Sequence, residues 1–170
     1  MRIVLVSLLL IMITGISLAE EKDAWTYDIT PESLQKVVDI FEQDPLSEDA
    51  VDAFFTVLSF LEKHNSVGSL SGSVTVRIKE ECFPWYQNWN DGQEDRGSML
   101  LFGAYIIGDV KAQLEAKVNK DQPYAGARQV ISTYQKLRNA NVVESIPEIE
   151  KWIQSENDGK LKDLVADFCQ

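Results

Sequence analysis

Hydrophobic and polar positions alternate along most of the chain with the period of a helix. Leu34, Val37, Val38 and Phe41 recur at i, i+3, i+4 and i+7 and mark one apolar stripe. Thr30-Pro31-Glu32 supplies a helix start for it, with a capping hydroxyl, a proline at the first helical position and an acid in the first turn. Asp44-Pro45 stops it. Ser47 caps a second helix whose stripe is Val51, Phe54, Phe55, Leu58 and Leu61, widened by Val57 and Phe60. So short a turn between them predicts that the two helices pack as an antiparallel hairpin.

After the Gly/Ser loop from Ser66 to Ser73 the period changes. Val74, Val76 and Ile78 alternate with Thr75, Arg77 and Lys79, the pattern of a strand. No second strand pairs with it, so the expectation is an extended edge segment laid against the helices. An aromatic run, Cys82-Phe83-Pro84-Trp85-Tyr86-Gln87-Asn88-Trp89, and a polar loop, Asn90 to Asp95, lead into a third helix expected from Ser98 to Val118.

The first half of this third helix is apolar nearly all round, as suits a central, buried element. Gly103 and Gly108 disfavour a helix, so close approach by a neighbouring backbone is expected there. Asp121-Gln122-Pro123 turns the chain into a fourth helix with the stripe Ala127, Val130, Ile131, Tyr134 and Leu137. A fifth opens near Ser145-Ile146-Pro147 and carries Ile149, Trp152 and Ile153. Asp158-Gly159 breaks it, and Leu161, Leu164, Val165 and Phe168 define the last. The fold class expected is mostly α, a single-domain multi-helix bundle or short helical-hairpin solenoid with one extended edge segment.

The first 19 residues follow a different logic. Arg2 is followed by an apolar run from Ile3 to Ile13, and Ser17-Leu18-Ala19 places small residues before Glu20. That is the layout of a secretory signal peptide cleaved after Ala19, and the run falls short of the ~20 residues that span a bilayer. The expected organisation is a leader over residues 1–19 and one domain over 20–170. The location would be periplasmic or secreted, with no membrane span once the leader is removed.

Compartment changes the reading of the two cysteines. In an oxidising environment Cys82 and Cys169 are expected to form one intramolecular disulfide, tying the end of the chain to its middle. Free thiols and an intermolecular bond are the alternatives. In the chain-entropy picture a loop of this length is worth ~4 to 5 kcal/mol.

Charge narrows the partners. The net charge is −11, and leader removal takes away one base and no acid. Such a field repels nucleic acid and anionic membrane surfaces and favours a basic protein or cations. The plainer account of it is a solvated surface.

Candidate chemistry is sparse. His64 is the single histidine, and a Ser-His arrangement or a zinc site needs partners that the chain does not supply beside it. Gly68-Ser69-Leu70-Ser71-Gly72 resembles a nucleophile elbow, but Leu70 stands where the serine belongs. Ser33-Leu34-Gln35-Lys36 has the spacing of a Ser/Lys pair without its companion segments. Asn90, Asp91, Glu94 and Asp95 depart from the ligand spacing of a calcium loop. No cofactor and no metal site is expected.

Two regions stand out as binding candidates. In the aromatic run, Trp85, Tyr86 and Trp89, with the acids Glu94 and Asp95, suit a partner surface or a sugar-stacking face; packing in the core is the plainer account. In the second, Tyr105, Asp109 and Tyr124 sit where small residues bring helices together, which suits a pocket; tight helix packing is simpler. This short segment, Tyr105 to Asp109 with Pro123 to Gly126, is similar to small helical periplasmic immunity proteins. The chain lacks their additional cysteines, and no residue role carries over. The leading functional expectation is a non-enzymatic module that binds a protein in the cell envelope, as an inhibitor, immunity or accessory factor. A ligand- or carbohydrate-binding domain comes second, and a carboxylate-based hydrolase third.

Overall fold

The computed structural model describes residues 31–65, 74, 76, 83, 85 and 96–169. They form α1 (Pro31–Gln43), α2 (Glu48–Asn65), α3 (Arg96–Ala116), α4 (Pro123–Asn139), α5 (Pro147–Asn157) and α6 (Leu161–Cys169). The fold is mostly helical, a multi-helix bundle. The leader, the Gly/Ser loop, most of the aromatic run and Cys82 lie outside the described residues, so the expected leader and Cys82–Cys169 bridge do too. Of the expected extended segment, Val74 is buried and Val76 half-buried. Neither belongs to a strand, and its other residues are not described.

Local chemistry explains where the helices begin and end. The Asp44 carboxylate accepts from the Leu46 amide at 3.0 Å, and the Ser47 hydroxyl accepts from the Ala50 amide at 3.1 Å. The first closes an Asx turn between α1 and α2, and the second satisfies an orphan donor of α2. Gly159 (φ 69°) and Asn141 (φ 56°) end α5 and α4 in the left-handed conformation. In both, the next residue reaches back to close the turn: Lys160 N to Ser155 O at 2.7 Å and Val142 N to Leu137 O at 2.9 Å.

The same motif corrects the expected end of α3. Lys117 adopts φ 54°, its amide donates to Leu114 O at 3.2 Å, and the Val118 amide donates to Gln113 O at 3.1 Å. The helix therefore stops at Ala116 rather than Val118. No glycine marks that stop, which is why periodicity alone overran it.

α3 is the central element. It is buried almost all round from Gly97 to Val110 and packs most extensively along α4. The α1–α2 hairpin lies against it on one side, while α5 and α6 pack on α4. One continuous apolar cluster draws side chains from all six helices. Polar ties cross it at the rim: Lys111 pairs with Glu42 at 2.5 Å, Lys136 donates to Glu42 O at 2.8 Å, and Arg96 donates to Leu46 O at 2.8 Å. Tyr134, buried on α4, donates to Glu150 at 2.6 Å and accepts from the Ile146 amide at 3.1 Å. That hydroxyl fixes the start of α5, whose own cap residue, Ile146, has no side chain able to do so.

Candidate functional site

The α3–α4 crossing is built by glycine. A Cβ placed on Gly108 would lie 2.5 Å from Gln129 Cβ, 2.8 Å from Ala125 O and 3.2 Å from Gly126 Cα. One placed on Gly126 would lie 2.9 Å from both the ring and the carbonyl oxygen of Tyr105. The two backbones therefore meet at a distance only glycine allows on either side, and the close approach expected at Gly108 is observed.

That contact seals Tyr105 and Asp109, one helical turn apart on α3, inside the protein. The Asp109 carboxyl is 1% exposed. Its Oδ1 accepts from Gln113 Nε2 at 2.5 Å and from the Gln122 amide at 2.9 Å, whereas its Oδ2 is buried with no hydrogen-bond partner. Gln122 is the cap residue of α4 and makes no side-chain cap bond of its own. Asp109 thus supplies from α3 an acceptor at the positive end of α4.

Burial pushes the Asp109 carboxyl up to about 7. The bonds from Gln113 and Gln122 oppose the shift, and the neighbouring Asp121 adds to it. Burial also raises the Tyr105 phenol, reinforced by repulsion from Asp109 and Asp121. The arrangement keeps a carboxylic acid neutral to near-neutral pH in a closely packed interior. That suits a structural or sensing role better than contact with a substrate.

Tyr124, the third residue of this candidate group, faces elsewhere. Its hydroxyl lies 3.2 Å from both Glu156 oxygens, Arg128 Nε lies 3.1 Å from Glu156 Oε1, and the guanidinium stands 5.9 Å from the Tyr124 ring. The cluster links α4 to α5 at the surface. The structure therefore brings Tyr105 and Asp109 together and sets Tyr124 in a separate network. Gln113, Gln122 and Glu156 belong to these sites and were not singled out from sequence. Each lies in a polar context with no motif, and only the fold brings it to its partner.

In the aromatic run, Trp85 is 5% exposed. It packs edge-on against Phe83 at 5.9 Å and Trp152 at 5.3 Å between ring centroids. Its indole N–H is buried with no partner. Tyr86, Trp89, Glu94 and Asp95 lie outside the described residues, as does the rest of the polar loop from Asn90 to Asp95. Among the described residues no group of three or more His, Cys, Asp or Glu side chains could hold a metal ion. None of the described helices is long and apolar enough to cross a membrane.

A surface that the pattern had assigned to the core is open. Phe55 on α2 is 48% exposed, while Phe54 beside it is fully buried. Val51 and Leu58, at i−4 and i+3 from Phe55, are half-buried, so α2 carries a second apolar stripe beside its core face. Glu48, Asp49 and Asp52 are exposed on the same helix. The chain matches no family model, no curated protein and no solved structure.

Proposed function

We propose that this chain is an exported, non-enzymatic helical module that binds a partner protein through the outer stripe of α2. The observation that carries the reading is Phe55, a large aromatic half in water at the centre of Val51, Phe55 and Leu58. Water-exposed aromatic rings with apolar neighbours are the usual anchors of protein interfaces. Glu48 and Asp52, at i−7 and i−3 from Phe55, give the stripe an acidic border. The partner it fits has an apolar groove or helix face edged by lysine or arginine. A second copy of this chain is disfavoured, because two surfaces of a molecule with net charge −11 repel each other.

Site-specific photo-crosslinking tests this. A photoreactive phenylalanine analogue is placed at position 55, or at the exposed position 163 on α6 as a control. Irradiation in intact cells is then followed by mass spectrometry. The expected result is one defined adduct from position 55, absent from 163 and lost when Asp52→Lys is added. Equal labelling from both positions, or an adduct insensitive to Asp52→Lys, overturns the reading. So does turnover of a cell-wall or ester substrate by the purified protein that loss of a carboxylate abolishes.

A further inference from the structure

The buried acid at the α3–α4 crossing has a consequence independent of any partner. Both donors that reach Asp109 converge on Oδ1, one from Gln113 on α3 and one from the backbone of Gln122 at the start of α4. Oδ2 has none. In the neutral acid that oxygen is an O–H lacking an acceptor; in the ionised form it shares a negative charge that only the two donors on Oδ1 offset. The second costs far more in a closely packed interior than the first.

The surroundings reinforce the asymmetry. On α3 the titratable neighbour is Tyr105, whose phenol is itself held neutral. From the connection between α3 and α4 the charge acting on Asp109 is Asp121, another acid, while Lys117 and Lys120 of that connection are exposed. The first turns of α4 carry Tyr124 and Arg128, and both are committed to Glu156 on α5. The Gly108–Gly126 contact brings the two helix backbones together beside Asp109, which is 1% exposed.

We infer that Asp109 is a proton-operated latch: protonated, it holds the start of α4 against α3; ionised, it releases the 117–122 connection so that water can reach Oδ2. The latch is closed in mildly acidic surroundings and loosens as the pH rises toward and past neutrality. Its released element is the corner whose first residue, Lys117, already sits in the left-handed conformation unfavourable to a side chain.

Hydrogen exchange read by mass spectrometry on the full chain, at pH 5, 6, 7 and 8 with intrinsic rates divided out, tests the latch. The readout is a peptide containing residues 117–122. Opening of this segment in the wild type should rise about tenfold per pH unit between pH 5 and 6.5 and level off above about 7.5. Asp109→Asn, which keeps the shape but cannot ionise, should remove that rise. Identical pH dependence in the two proteins overturns the inference, and so does opening of 117–122 that is no more frequent than the global unfolding read from the slowest amides of α5 and α6. Carbon-13 NMR of the Asp109 carboxyl in the wild type keeps the test decisive if Asp109→Asn does not fold. A midpoint near 7 supports the latch, and one near 4 refutes it.

Discussion

Replacing Gly108 by alanine puts the packing of α3 on α4 to its sharpest test. In an isolated helix the change is favourable by about 1 kcal/mol, because glycine carries the larger entropy cost. Here the added methyl would stand 2.5 Å from Gln129 Cβ, 2.8 Å from Ala125 O and 3.2 Å from Gly126 Cα. Ordinary contacts need 3.4 Å or more, and two of these three atoms are backbone, so no rotamer change relieves them. The helices must separate by roughly 1 Å, and overpacking of this kind costs about 1–3 kcal/mol. The sterics outweigh the propensity gain, for a net loss of up to ~2 kcal/mol, larger for Gly108→Leu. In a domain of this size that lowers the thermal midpoint by up to about 8 °C.

Gly103→Ala is the matched control. Its methyl would meet the Phe54 ring at 3.0 Å, and a ring can tilt where a backbone cannot, so its cost should be smaller. Thermal unfolding by circular dichroism, with Asp109→Asn measured alongside to detect any coupling at the crossing, gives all the values needed. A midpoint for Gly108→Ala equal to or above that of the parent refutes the close approach. A larger loss at Gly103 than at Gly108 refutes the reasoning that ranks backbone against side-chain clashes.

Global stability should fall as pH rises from about 4 to about 7, because Asp109 titrates higher in the folded protein than in the unfolded chain and folding therefore holds a proton over that window. The loss attributable to this group, read as wild type minus Asp109→Asn in denaturant titrations, is up to about 4 kcal/mol. Tyr134→Phe leaves the Ile146 amide and Glu150 without their shared partner and should cost ~1–3 kcal/mol, with α5 exchanging faster. Trp85→Ala removes a buried indole packed on Phe83 and Trp152 and should cost ~3–5 kcal/mol in chemical denaturation. Phe55→Ser should leave stability within about 1 kcal/mol while abolishing the crosslinked partner, which separates an anchor from a core residue.

Six helices were legible in the sequence because five carry an apolar stripe at helical spacing, most with a serine, proline or glycine signal at an end, and the remaining one, α3, is a long apolar run. Ser47 and Gly159 act where they stand, within a few residues of the groups they satisfy. The central burial of α3 was legible for the same reason, since a helix apolar on every side has nowhere else to go. The glycine at 108 announced a close neighbour but could not name it; Ala125, Gly126 and Gln129 arrive from another helix.

What tertiary structure alone decided concerns side chains whose partners are distant or whose exposure depends on packing. Phe54 and Phe55 are adjacent and chemically identical, and the orientation of α2 against α1 and α3 sends one inward and the other half into water. Asp109 reads in sequence as one acid among many. It becomes a neutral, buried acid because packing against α4 desolvates it and Asp121 repels its charge, by more than the donors from Gln113 and Gln122, both on one oxygen, can offset. Periodicity records which face of a helix is apolar. Desolvation and pairing are set by what another helix brings to that face, and no local pattern encodes that.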